Sequence, residues 1–254
     1  MRKFFTIASL MALTLSACSK EATQSEQEGK GQVTINCKTE TMVDTRADIS
    51  CTTPTAEDFT LMIEGVGSDY KAEYAAIAEF NADSYLHHGN YKATVVAGDI
   101  TEEGYDKATF VGSKEFAVEA RKSSNVEITA TIANALVVVE VTENFKHYFA
   151  GGHALTLTTA AGNEFDVTAQ TDPIFVAPAS FTIGGTAVKQ PNQSGAEGVT
   201  VTLPNYVAES VAAQTLYTVK LDVEAAGSAT LTITLNDTLV ESIDIEQELN
   251  DNAQ

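Results

Sequence analysis

The stretch that decides the architecture is "FVGSKEFAVEARKSSNVEITATIANALVVVEV", residues 110–141. Phe116, Val118 and Ala120 alternate with polar neighbours, and so do Val126, Ile128, Ala130 and Ile132. Successive side chains of a strand point to opposite faces, so an apolar residue at every second position marks a strand with one face covered. "RKSSN" (121–125) between the two runs reads as a hairpin connection, which would set them side by side in an antiparallel sheet. "ANALVVVEV" (133–141) then starts a further strand.

The same period holds outward in both directions. Upstream it carries Val33, Ile35 and Cys37, then Phe59, Leu61 and Ile63, then Tyr91, Ala93, Val95 and Ala97. Downstream it carries "HALTLTT" (153–159) and "NEFDVTA" (163–169), with a tight turn at Gly162-Asn163. Further strands are expected at 181–185, 198–203, 215–225, 229–235 and 238–246, with a hairpin tip at Asn236-Asp237. Only "YKAEYAAIAEF" (70–80) and "TENFKHYF" (142–149) read as helical. So many short strands exceed one seven-stranded sandwich of about 100 residues. The expected fold is therefore all-β, with two tandem β-sandwich domains at 31–132 and 133–254 that meet near Ile132–Asn134 through a rigid interface.

The amino terminus reads as an address. Arg2 and Lys3 precede an apolar run from Phe4 to Ala17, the layout of an export signal over residues 1–17. The run is shorter than the roughly 20 apolar residues that span a bilayer. Leu15-Ser16-Ala17-Cys18 resembles the bacterial lipobox, in which the cysteine sulfur is acylated and becomes the first mature residue. Two or three acyl chains make a stable anchor where one does not. Residues 18–30 are polar without periodicity and read as a flexible tether. Cys37 and Cys51 remain. In an exported, oxidising setting they could form a disulfide; as a strand residue, Cys37 equally suits a buried free thiol.

The chain holds 15 basic and 35 acidic residues, a formal charge of −20 that falls to about −22 once Arg2 and Lys3 are removed. Such a surface repels phosphate backbones and argues against nucleic-acid binding. After Lys146 the only basic residues are Lys189 and Lys220.

Residues 110–165, with "FVAPASFTIGGTAV" (175–188), are similar to a family of Bacteroidales cell-surface lipoproteins that carry a domain of unknown function and relate to fimbrillin-like proteins. The likeness lies in the order of parts: Gly112-Ser113 before Phe116 and Val118, then Ala133-Asn134-Ala135 opening a valine-rich strand. Asn144-Phe145 and Tyr148-Phe149 follow, and then the Gly162 turn. The resemblance implies transthyretin-like or immunoglobulin-like sandwiches, an outer-membrane lipid anchor with the fold at the cell surface, and roles in adhesion, pili or display. It implies no catalytic residue. The cluster Phe145, Tyr148 and Phe149 is expected to cap the second core, since burial is the commonest use of such aromatics.

"MVDTRADIS" (42–50) resembles the Thr-Arg-Ala stretch that an arginine-specific protease cuts in fimbrillin-like proteins. Cutting after Arg46 would remove the lipid and the first strand, exposing a sheet edge; the uncut form keeps its anchor. Asp237-Thr238-Leu239 resembles an O-glycan acceptor, with Thr238 as the modified residue.

Enzyme signatures are missing: the sequence has no G-x-S-x-G, no H-E-x-x-H and no phosphate-binding glycine loop. His87 and His88 would point to opposite faces of a strand and not hold one metal together. Neither Asp99 with Glu102 and Glu103 nor Asp244 with Glu246 and Glu248 has calcium-loop spacing. The expectation is a non-enzymatic surface protein without metal or cofactor, whose partners are membrane lipid through acylated Cys18 and pilin-like or other surface proteins. The alternative is an accessory lipoprotein that captures host glycan for uptake, which the absence of tryptophan disfavours.

Overall fold

Period-two alternation becomes strand almost everywhere in the computed structural model, which describes residues 29–41, 51–189, 198–225, 228–235 and 238–245, with side chains to residue 222. The first half contributes β1 (Lys30–Glu40), β2 (Thr60–Gly65), β3 (Lys71–Tyr74), β4 (Tyr85–His87), β5 (Gly89–Ala97), β6 (Gly104–Tyr105), β7 (Phe110–Val118) and β8 (Ser123–Ile132). Among the described residues, seven of these form one sheet in the order β3-β2-β5-β7-β8-β1-β4.

The deciding stretch does not form the expected hairpin. β7 pairs with β8 only at Phe110↔Ile132 and Val111↔Thr131. Along its whole length β7 pairs with β5, from Gly89↔Val118 to Ala97↔Phe110, while β8 pairs with β1. "RKSSN" is thus the start of an arch between two layers. Both strands have one apolar face, and turning those faces toward each other buries Val118, Val126, Ile128 and Ala130 in one core. Burial of an aliphatic side chain is worth about 1.5–3 kcal/mol, which outweighs the few ladder bonds a flat hairpin would add. Where the layers pinch together, Gly112 faces Thr129–Ala130, and a Cβ there would lie 2.5 Å from the Thr129 carbonyl oxygen.

The sheet is also not wholly antiparallel, because β1 runs parallel to β8 from Gln32↔Ser123 to Glu40↔Thr131. On its other side β1 meets β4 only at Lys30–Gln32. Beyond that, Asn81 stands in for a strand: its Oδ1 accepts from Ile35 N at 3.0 Å and its Nδ2 donates to Ile35 O at 2.9 Å. A buried strand must satisfy both its N–H and C=O groups, and one amide can do this for one residue.

The expected helix over 70–80 splits. Lys71–Tyr74 joins β2 as β3, and only α1 (Ile77–Ala82) is helical, burying Ile77 and Phe80 one turn apart. The unpaired edge of β2 offers a complete ladder to residues 71–74, which a single exposed helical turn cannot match.

The second half contributes β9 (Ala135–Val141), α2 (Glu143–Tyr148), β10 (His153–Thr159), β11 (Glu164–Asp166), β12 (Ile174–Val176) and β13 (Phe181–Val188). After these come β14 (Thr200–Ala208), β15 (Leu216–Ala225), β16 (Ser228–Leu235) and β17 (Thr238–Ile245). They make two sheets, β11-β10-β13-β14 and β17-β16-β15-β9-β12-β6. β9 and β15 run parallel, again against a purely antiparallel reading. The expected turn at Gly162-Asn163 is present: Gly162 has φ 84 and its N–H donates to Thr159 O. α2 starts at Thr142, whose Oγ1 accepts from Phe145 N at 3.2 Å. Phe145 and Phe149 are fully buried, and Tyr148 packs at the edge of the same core, as the aromatic cluster predicts.

Two hydrophobic cores result, and the strands at their boundary serve both. Ala135 and Val137 of β9 and Ile174 and Val176 of β12 belong to the second core, whereas Leu136 and Phe175 pack into the first. A strand buried on both faces has no polar alternation, which is why "LVVV" reads as a continuous apolar run.

Candidate functional site

Ladder register gives the first sandwich two distinct ends. At one end Ala97 pairs with Phe110, Phe110 with Ile132, and Glu40 with Thr131; the chain passes from there into the second core. At the other, His88 N donates to Gly29 O, Arg121 N to Lys30 O and Val66 N to Asn90 O. The start of β1 therefore lies at the end remote from the second core.

The junction is held by polar groups as well as by Leu136 and Phe175. Glu103, in the loop before β6, accepts hydrogen bonds from Thr159 Oγ1 at 2.5 Å, Asn163 Nδ2 at 2.8 Å and Ala177 N at 2.9 Å. β6 itself leaves the first half of the chain to pair with β12, Ile174↔Tyr105 and Phe175↔Gly104. Residues 104–105 thus complete a sheet of the second sandwich, an exchange that no local pattern signals.

Beside this junction opens a cleft of about 470 Å³, lined by Cys51, Thr52, Tyr105, Asp106, Asp172 and Pro173. Tyr105 is 46% exposed there. Asp106 takes up a left-handed conformation, φ 54, and its carboxylate accepts from Thr52 N and Thr52 Oγ1, each at 2.8 Å. The Thr52 backbone N–H, with its hydroxyl, holds the Asp106 carboxyl below the usual range. Burial, with Asp166 and Asp172 adding, pushes the Tyr105 phenol up. The cleft offers a ring and hydrogen-bond acceptors. Of its residues the sequence singles out Cys51 alone, and for a disulfide; a Gly-Tyr-Asp turn with an exposed tyrosine is the one local signal the cleft leaves.

The expected site residues do not converge. Cys18 and Arg46 lie outside the described residues. Thr238 opens β17 opposite Leu235, so it borders the β16–β17 connection. Cys37 and Cys51 are both half-buried, pack against the first core and are not bonded to each other. Thr39 Oγ1 donates to Pro54 O at 3.4 Å and keeps the segment of Cys51 along the end of β1. Burial pushes the Cys37 thiol up. His87 and His88 are exposed at the remote end of the first sandwich, and His153 packs its ring edge-on to Phe145 in the second. Among the described residues no group of three or more His, Cys, Asp or Glu could hold a metal ion, and no helix is long and apolar enough to cross a membrane.

Architecture and site together define an all-β protein with two sandwich cores and a shallow polar junction cleft. The chain belongs to the DUF4493 family, a domain of unknown function, whose model matches residues 28–251. No curated protein matches the sequence. Among solved structures, a Bacteroides eggerthii protein described as a "putative cell adhesion protein" is 9% identical, covering 84% of this chain and 96% of its own, with a TM-score of 0.41. A Bacteroides ovatus protein described in the same words is 10% identical over 83% and 98%, TM-score 0.37. A Bacteroides thetaiotaomicron structure described as "putative polysaccharide binding proteins" is 10% identical over 84% and 80%, TM-score 0.35.

Proposed function

We propose that this chain is a non-enzymatic, lipid-anchored protein of the outer cell surface, a fimbrillin-like component of adhesion or pilus-associated display. The carrying observation is the polarity of the molecule: β1 begins at the end of the first sandwich remote from the second core. Acylated Cys18 and the tether of residues 18–30 then hold one end at the membrane. The second sandwich, clasped by Glu103, β6 and the shared strands β9 and β12, projects from the other, where its loops meet pilin-like or other surface partners. Domain limits of 31–132 and 133–254 fit this arrangement, with residues 104–105 crossing between the units.

Acylation and partition test it. The wild-type chain is expected in the detergent phase carrying acyl mass on its amino-terminal peptide, and Cys18→Ala in the aqueous phase. An acylated, detergent-phase Cys18→Ala chain overturns the anchor; cells that adhere and aggregate equally with and without the protein overturn the adhesive role.

Glycan capture is the second reading, and the cleft at Tyr105 favours it, because a tyrosine ring beside carboxylates can stack on a sugar and accept from its hydroxyls. Tyr105→Ala should then abolish any signal on a glycan array while leaving surface adhesion through proteins intact.

A further inference from the structure

The end of the first sandwich where β1 begins gathers features that adhesion and glycan capture leave unused. Val66, at the tip of the β2–β3 hairpin, is 50% exposed, and Tyr70 beside it is 37% exposed. The Tyr70 ring stands edge-on to Tyr91 at 5.5 Å, and Tyr91 stacks on Phe116 at 5.8 Å, so the exposed tyrosine is braced from below. Lys30, Arg121 and Lys122 come to the same end, because Arg121 N donates to Lys30 O and Gln32 N to Lys122 O. Lys122 pairs with Glu119, both side chains 66% exposed, and so exposed a pair gains little from its contact. Among the described residues, Asp69 and Glu119 are the carboxylates of these tips, which also carry His87 and His88; Glu26 and Glu28 precede Gly29 in the sequence. The described residues of this end therefore carry three basic side chains against two carboxylates, in a chain whose acids outnumber its bases 35 to 15. The contrast with the second sandwich is sharpest, since after Lys146 only Lys189 and Lys220 are basic.

We propose that this end, led by Val66, Tyr70, Lys30, Arg121 and Lys122, docks on a phosphate-bearing phospholipid surface and sets the direction in which the second sandwich projects. The proposal rests on the lipid anchor proposed above. From Cys18 to Gly29 the tether spans eleven residues, which reach at most about 40 Å when extended and on average roughly 17–20 Å as a flexible coil. The end that carries Gly29 is thus held within about its own width of the headgroups. Each basic side chain near an anionic leaflet contributes about 1 kcal/mol. Tyrosine suits the headgroup boundary, with its ring in the apolar layer and its hydroxyl in the wet one. The acidic second sandwich is repelled by the same field, so attraction at one end and repulsion at the other act in the same sense.

The test places the acylated full chain in vesicles of phosphatidylcholine alone, or of phosphatidylcholine mixed with phosphatidylglycerol, and follows amide hydrogen exchange. Exchange at 65–70, 87–90 and 119–123 should slow several-fold in the anionic vesicles only. The effect should vanish in a Lys30→Glu, Arg121→Glu, Lys122→Glu chain whose core amides still exchange slowly; the three alanine substitutions serve if charge reversal disturbs folding. Equal exchange in both vesicle types, undiminished slowing in the variants, or slowing on the second sandwich instead would overturn the docking surface. The mass of the amino-terminal peptide reports acylation separately. If Cys18 carries no lipid, the anchor reading fails, and sedimentation of the Cys18→Ala chain with anionic vesicles at low salt decides docking by itself: co-sedimentation sustains it and none refutes it.

Discussion

The side-chain oxygen of Asn134 accepts the backbone N–H of Thr109 at 2.6 Å, with both residues buried at the seam of the two cores. Around this bond Ala133 N donates to Thr109 O at 2.7 Å and Gln214 N to Asn134 O at 2.8 Å, so one asparagine ties the end of β8 to both halves of the molecule. Asn134→Ala strands a buried N–H, which costs about 1–3 kcal/mol. Urea unfolding of the mature chain should show that loss. Thr109→Val, by contrast, should leave stability unchanged or raise it, because the Thr109 Oγ1 is buried with no hydrogen-bond partner.

Gly112 sits where the layers of the first sandwich meet. A methyl group there would press on the Thr129 carbonyl, on Ala130 Cα at 2.9 Å and on Ile128 Cγ2 at 2.9 Å, two of them backbone atoms. Gly112→Ala should cost about 1–3 kcal/mol by overpacking, read as a lowered Tm. An unchanged Tm would mean that the layers can part without loss.

Acid sensitivity should reach the cleft through Asp106. The Thr52 N–H and hydroxyl hold its folded pKa below the ordinary aspartate range, so its contribution to stability is complete above that range and is lost as pH falls through the depressed value. Asp106→Asn keeps a residue that tolerates the left-handed backbone and removes only the charge. The stability gap between wild type and variant should be widest near neutrality and close toward pH 2, followed by chemical unfolding across that range. A gap independent of pH would assign the effect to shape alone.

Cys37 and Cys51 should join in the exported protein. Both stand as free thiols in the structure and pack against the first core, and closing their loop of roughly 15 residues is worth about 3 kcal/mol in chain-entropy terms. The intact mass should then rise on reduction by two hydrogens. Full alkylation of both thiols without reductant rules the pairing out.

An arginine-specific protease that cuts after Arg46 should leave β1 in place. Val33 and Ile35 are 0% and 1% exposed, and β1 keeps its long parallel ladder with β8 as well as its bonds to Asn81. Gel filtration of the cut chain should therefore keep the amino-terminal fragment bound until a denaturant or a competing strand is added. Spontaneous release would show that the covalent link, not the packing, holds the strand.

Strand content was legible because burial of one face imposes period two on Leu61-Ile63, Tyr91-Ala93-Val95 and Val126-Ile128-Ala130 alike. The arch at residues 121–125 was not, since alternation states that a face is covered and not what covers it; β7 and β8 have the same pattern whether they lie side by side or face to face. Nor was the cleft: Thr52, Asp106 and Asp172 come together only because β6 crosses to pair with β12. The helical reading of 70–80 failed at Lys71–Tyr74 because an open edge on β2 outbid weak local propensity.

By itself the sequence determined that the chain is built of strands with one face buried, that its surface is strongly acidic, and that Phe145 and Phe149 belong in a core. These follow from side-chain chemistry and from periods counted along the chain. Only the tertiary structure decided which strands are neighbours, that β1 and β9 run parallel to β8 and β15, that Leu136 and Phe175 serve the first core, and that Gly29 stands at the end opposite the second sandwich. Those outcomes depend on contacts between residues dozens of positions apart. They are set by which faces bury the most apolar surface together, a quantity that no local pattern contains.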